Sequence, residues 1–272
     1  MSELSNKKAS EAVESLTGQK ELVNNFSDNS NKKPENILID FARRENILFC
    51  DNQENEYAEI IINGHTEIYR IDSKKYNGWL RQKYYYQTKT GASKAILDTA
   101  IDTIKSIADF EGERKDVYLR VAQVGNSMYI DLCNDSWQVV EVDVLGWRVL
   151  DKSPVCFTRT GNMRPLPAPI EGGDISLLLN HINIEKKDLP LAVGWLLLSL
   201  QAGPGAYPVM ILNGSAGTGK TTASRMLREL VDPNKVDLLT KPSISDIRVI
   251  GTNNHVLAFD NLSGISPQFS DA

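Results

Sequence analysis

A chain of 272 residues, 41% hydrophobic and 24% charged with a net charge of −5, is long enough for one large domain or two ordinary ones. The acidic balance excludes a globally basic protein that coats nucleic acid, though not a local basic groove. Cys50, Cys133 and Cys156 are odd in number and have no CxxC spacing, which excludes a disulfide frame or a zinc site and reads as reduced cytosolic thiols. Met1 to Lys8 has no apolar stretch behind its charges, so no signal peptide is read there. The most apolar segment, Leu189 to Ala202, is too short to span a bilayer and is expected to be a buried helix, giving a soluble cytoplasmic protein without membrane contact.

Residues 1–34 are rich in Ser, Asn, Lys and Glu and are expected to form a disordered tail, because they bury too little surface to offset ordering entropy. From Pro34 the pattern becomes globular. Asn36 to Arg44 predicts a short helix and Ile47 to Cys50 a strand. Glu59 to Ile71 carries Asn63-Gly64 between two strand-like runs, the signature of a hairpin. Two helices follow, about Ser73 to Gln87 and one opening at Ser93 with Leu97, Ile101, Ile104 and Ala108 on one stripe. Val117–Val124, Ser127–Cys133, Trp137–Val142 and Trp147–Val149 predict an antiparallel meander, with Gly125-Asn126 and Asn134-Asp135 as turns.

The alternating prolines and the glycine pair of residues 161–173 predict a semi-rigid connector. The expected division is therefore an α+β module for DNA or partner binding at 35–160, the linker at 161–173, and a second module at 174–272. Helices at Asp174–His181 and Asp188–Gln201 lead into the buried-strand run Pro208–Asn213.

That run opens the most specific motif of the chain. Gly214, Ser215, Ala216, Gly217, Thr218, Gly219, Lys220 and Thr221 match the phosphate-binding P-loop pattern without a mismatch, and Thr221 to Val231 reads as a helix stopped by Asp232-Pro233. Small residues let backbone N–H groups turn around an anion, the lysine reaches the β/γ-phosphates, and the terminal hydroxyl ligates Mg²⁺ at a helix N-terminus. Gly214 to Thr222 are thus the expected ATP-binding residues.

His255 to Asn261 is an apolar strand ending in Asp260, which is expected to hold the water of a Mg²⁺ ion opposite Thr221. Between the two motifs, Val236-Asp237-Leu238-Leu239 predicts a strand and Ser243-Ile244-Ser245-Asp246 a capping box opening a helix. The order of strand, P-loop, helix, strand, helix and acidic strand suits a parallel-sheet α/β nucleotide-binding domain. Lys220, Asp260 and Asn261 are the catalytic candidates; Asn261 stands where a water-orienting glutamate is common, and an asparagine is no general base. Binding of nucleotide is therefore better supported than its hydrolysis.

Over about residues 70–272 the chain resembles phage- and mobile-element primase–helicase-like ATPases, in the neighbourhood of superfamily 3 helicases and virulence-associated E proteins. The resemblance rests on Asp131-Leu132-Cys133-Asn134-Asp135-Ser136-Trp137, Gly146-Trp147, Met163-Arg164-Pro165-Leu166-Pro167, the P-loop, Leu230-Val231-Asp232-Pro233 and Phe259-Asp260-Asn261-Leu262-Ser263. It implies an ATP-driven role on DNA, commonly as a homo-oligomeric ring. It also implies a sensor strand and an arginine finger beyond Asp260, so a P-loop domain incomplete at its C-terminus is expected.

Other features read more plainly. Trp79 to Lys89 interleaves basic and aromatic residues as a single-strand-binding surface would, but an amphipathic helix packing its rings inward is the preferred reading. Arg159 and Arg164 are candidates for DNA or subunit contacts against a reading as merely solvated arginines. His65, His181 and His255 share no metal spacing and read as structural. A DNA-dependent ATPase of helicase or primase type heads the functional readings. A nucleotide-binding module without hydrolysis comes next. A small-molecule P-loop kinase is third, for which 232–254 offers only Lys235, Lys241 and Arg248 as lid cations.

Overall fold

The computed structural model describes residues 32–202, 207–240 and 243–261, leaving aside the side chains of Ile244 and Arg248. Most of the expected tail, the residues after Asn261 and Lys241 lie outside the described residues. The N-terminal part begins with helix α1 (Pro34–Glu45), whose proline sits in the first turn and whose Arg43 and Arg44 sit in the last, both favoured positions. Strands β1 (Asn46–Cys50), β2 (Glu56–Ile62) and β3 (His65–Arg70) follow as an antiparallel meander. Asn63 (φ 51°) and Gly64 (φ 84°) turn the β2–β3 hairpin, and positive φ at both central residues is what the expected Asn-Gly turn requires.

Ser73 and Ser93 cap helices α2 (Lys74–Thr88) and α3 (Lys94–Glu111), their hydroxyls accepting from Tyr76 N at 3.2 Å and Ile96 N at 3.4 Å. Both helices lie with α1 over the sheet, burying Leu38, Ala42, Tyr76, Leu80, Leu97 and Ile104 against Ala58, Ile60 and Ile71. At Gly112 the chain passes so close to β1 that a Cβ would meet Ala108 O at 2.3 Å and Leu48 O at 2.8 Å. This close pass lets β4 (Glu113–Arg114) join β1 in parallel and completes the order β3-β2-β1-β4.

The expected single strand Val117–Val124 is split. Strand β5 (Val117–Tyr118) pairs in parallel with β10 (Cys156–Phe157), while β6 (Val121–Val124) opens the meander β6-β7-β8-β9. The remaining strands are β7 (Ser127–Asp131), β8 (Val139–Asp143) and β9 (Gly146–Leu150). Arg120 stands at the switch, with its side chain fully buried. Cys50, Cys133 and Cys156 are free thiols, and burial pushes each thiol pKa up.

The C-terminal part departs further from expectation. Asp174–His181 is a 3₁₀ turn (Ile175–Asn180) rather than an α-helix, capped by Asp174, and a second such turn (Lys186–Asp188) leads into α4 (Leu189–Ser199). Helix α4 is not buried as expected: Ala192, Leu196 and Ser199 pack inward, while Leu191, Leu197 and Leu198 are exposed. Its sequence is apolar all round, but α5 (Lys220–Val231) covers one stripe only.

Pro208–Asn213 is not a strand. Met210 and Leu212 pack on the core while Val209 and Ile211 are 80% and 65% exposed, the period of a strand without a ladder partner among the described residues. The expected strands Val236–Leu239 and His255–Asp260 shrink to β11 (Leu239–Thr240) and β12 (Phe259–Asp260), paired in parallel with Thr240 opposite Asp260. Between them, Ser243 and Asp246 form the expected reciprocal capping box on α6 (Ile244–Gly251). The structure is thus mixed α/β with several sheets, and of the expected parallel sheet the described residues show one short two-stranded ladder. No described helix is long and apolar enough to cross a membrane.

Candidate nucleotide-binding site

Helix α5 is amphipathic, with Ala223, Leu227 and Val231 on one stripe against α4, and that packing fixes its N-terminal turn at the P-loop. Gly214, Gly217 and Gly219 have φ of 158°, 79° and 82°; the latter two lie in the left-handed region that favours glycine. A Cβ on Gly214 would come 2.9 Å from Thr218 Oγ1, whereas one on Gly217 or Gly219 would meet nothing within 4 Å. Thr218 Oγ1 closes the loop by donating to Ser215 O at 2.9 Å, and Asn183 Nδ2 ties it down from outside by donating to Thr218 O at 3.1 Å. Nothing in the sequence pattern marks Asn183.

Among the described residues, no acceptor stands in hydrogen-bond geometry to the N–H groups of Ser215, Ala216, Gly217 or Gly219. An anion satisfies such donors at a helix N-terminus. Lys220 Nζ donates to Gly214 O at 2.8 Å and Ser215 O at 2.7 Å, so the ammonium sits over the loop. Thr221 Oγ1 lies 3.2 Å from each carboxylate oxygen of Asp260, which brings the two expected Mg²⁺ residues together across 39 positions of sequence. Thr222 is exposed on the first turn of α5. Asn261 follows Asp260 with φ 56°, exposed and without a hydrogen bond to the described residues. The donor set, one carboxylate and one hydroxyl beside free backbone N–H groups, fits a Mg²⁺–nucleotide, since Mg²⁺ takes few protein ligands and shares the phosphates.

The far end of α5 holds a buried polar junction. Asp232, 1% exposed, accepts from Arg120 Nε at 3.2 Å through Oδ1, and from the N–H groups of His255 and Val256, both at 3.0 Å, through Oδ2. The same arginine donates to the carbonyls of Asp131, Arg164 and Pro233. One carboxylate therefore joins the segment that ends at Asp260 to the N-terminal part. Around it, residues of the expected linker are paired to the C-terminal part: Arg164 N donates to Pro233 O at 2.9 Å, Lys235 N to Asn162 O at 2.8 Å, and Met163 bridges Asn234. Beside it Arg228 is buried; desolvation lowers its pKa and the carboxylates of Asp232, Glu229 and Asp237 oppose that. Asp232 reads in sequence as a helix stop, and only its burial reveals the junction.

The remaining candidates resolve as follows. Arg159 is no free contact residue: it grips Asp131 bidentately, with its guanidinium 3.7 Å from the Trp137 ring centroid. Arg164 is exposed and pairs with Glu229. His255 is held between Asp232 and Ser199 O, a structural role. No cluster of three or more metal-ligating side chains occurs among the described residues. On α2, Tyr76, Leu80 and Tyr84 are inside, while Tyr85 and Tyr86 are 52% and 61% exposed.

A family model described as an actinomycete integrative conjugative element replication protein matches residues 175–272, the part that carries the P-loop and Asp260. No curated protein and no solved structure matches the chain. Over its C-terminal part the chain is therefore similar to a replication protein of a mobile element, which agrees with that much of the sequence expectation and is silent on a helicase.

Proposed function

We propose that the chain binds ATP with Mg²⁺ at Gly214–Thr222 and Asp260, and serves mobile-element DNA replication as a DNA-dependent ATPase of the helicase or primase type. The observation that carries the reading is Thr221 Oγ1 at 3.2 Å from both Asp260 oxygens, at the foot of a loop with free N–H groups. The loop N–H groups and the α5 N-terminus receive the phosphates, and Lys220 exchanges two loop carbonyls for phosphate oxygens. Thr221 and Asp260 would hold Mg²⁺, which would supply charge neutralisation for the phosphates. A second reading, binding without hydrolysis, is favoured by one observation: the residue after Asp260 is an exposed asparagine, which positions water but removes no proton.

Fluorescent-ATP binding with Mg²⁺ and steady-state ATPase, each with and without single-stranded DNA, test both. Lys220→Ala is expected to weaken binding at least tenfold with the melting temperature unchanged, because its partners are loop carbonyls. DNA-stimulated turnover supports the first reading, and binding without turnover the second. Equal ATP binding by wild type and Lys220→Ala would refute both.

A further inference from the structure

Helix α2 and the turn after it carry a charge pattern unlike the rest of this acidic chain. From Ser73 to Leu97 there are six cations, Lys74, Lys75, Arg81, Lys83, Lys89 and Lys94, and no aspartate or glutamate. The buried stripe Tyr76, Leu80 and Tyr84 anchors the helix on the core, which turns Arg81, Gln82, Tyr85, Tyr86 and Lys89 outward. Lys83 pairs with Glu45. Among the described residues Lys74, Arg81, Lys89 and Lys94 form no ion pair, so their charge stays uncompensated at the surface.

Two phenol rings are exposed in the middle of this field, Tyr85 and Tyr86, with centroids 6.3 Å apart and planes tilted by 52°. Exposed cations fit a polyanion of any form, but exposed rings gain nothing from a duplex, whose base faces are already stacked. They gain about 1–3 kcal/mol for each unstacked base they take. Gly78, one turn before Arg81 and Gln82 on the same side, carries no side chain to obstruct a strand lying along the helix.

We infer that the outer face of α2, with Tyr85 and Tyr86 as stacking platforms and Arg81 and Lys89 as phosphate partners, is a binding surface for single-stranded DNA. This deepens the DNA-facing half of the proposed function and is independent of the nucleotide site. The probe is fluorescein-labelled (dT)₃₀ followed by anisotropy in the full chain, with a duplex of equal length as competitor. Tyr85→Ala/Tyr86→Ala is expected to weaken (dT)₃₀ binding about tenfold or more, with Tyr85→Phe/Tyr86→Phe near wild type. Arg81→Glu/Lys89→Glu is expected to weaken it further and to flatten the dependence on salt.

All these side chains are exposed, so the variants keep the far-ultraviolet spectrum and the ATP affinity of the wild type, which separates this site from the P-loop. Unchanged (dT)₃₀ binding in both double variants overturns the inference. So does a wild type that binds ATP but not (dT)₃₀, or an equal loss of duplex binding on removing the rings, or binding of anionic vesicles in place of (dT)₃₀ through the same residues.

Discussion

The two ends of the molecule bury apolar surface to different degrees, although each leaves some exposed, Ile61 and Phe110 in the N-terminal part among them. In the N-terminal part, three helices cover a four-stranded sheet, and Tyr76, Phe49, Leu38, Ile60 and Ile104 are fully buried between or beside them. In the C-terminal part, one stripe of α5 packs on α4, the ladder of β11 and β12 is two residues long, and Leu191, Leu197, Val209 and Ile211 are all more than half exposed. The loop at 214–219 keeps backbone N–H groups open among the described residues, sits on the thinly packed side and draws its rigidity from elsewhere. Asp232 is where it does so, since its carboxylate fixes the lead into Asp260 and is itself fixed by Arg120.

The largest effect should come from cutting that connection. Asp232→Ala leaves Arg120 as a buried unpaired cation and strips two N–H groups of their acceptor. It is expected to cost about 3–5 kcal/mol in urea unfolding and, on the proposed function, to weaken Mg²⁺–ATP binding from outside the proposed site. A loss within 1 kcal/mol would mean that the two parts are held together some other way.

Alkali should break the N-terminal part in particular. Burial, the first cause in each case, pushes the phenols of Tyr57, Tyr69 and Tyr76 upward, Tyr57 to about 12; the carboxylates of Asp51 and Glu67 reinforce the shifts of Tyr57 and Tyr69. The fold holds these phenols neutral. Their contribution is therefore complete below the ordinary tyrosine value near 10 and declines as pH rises above it, that of Tyr57 being lost through about 12 and those of Tyr69 and Tyr76 later. Tyrosinate absorbance and circular dichroism should move together in that window. Titration of all nine tyrosines near pH 10 with an unchanged spectrum would contradict the burial.

The smallest effect is expected on the exposed side of α4. Leu191→Lys and Leu197→Lys should each change stability by no more than about 0.5 kcal/mol, whereas Ile104→Ala in the N-terminal core should cost about 2–5 kcal/mol. A large loss at Leu197 would show that this side is covered in solution.

The sequence was most legible where a local rule has one solution. Asn63-Gly64 fixed its hairpin, Ser73 and Ser93 their caps, and the glycines with Lys220 and Thr221 their loop, because each depends on neighbours in the chain. It was less legible where a partner decides. Pro208–Asn213 has the period of a strand, but a strand requires a ladder. Leu189–Ala202 has the composition of a buried helix, but only one of its stripes meets α5. Arg159 looked solvated until Asp131 and Trp137 closed on it.

By itself, then, the sequence marked Gly214 to Thr221 as a phosphate-loop motif and Asp260 as its expected partner, since small residues, a lysine and a hydroxyl at fixed spacing suit few other chemistries. The tertiary structure decided that Thr221 and Asp260 meet, that Asp232 and Arg120 bind the site to the packed half, and that Tyr85 and Tyr86 face outward while Tyr84 does not. Those outcomes depend on distances between residues far apart in the chain, which no local pattern specifies.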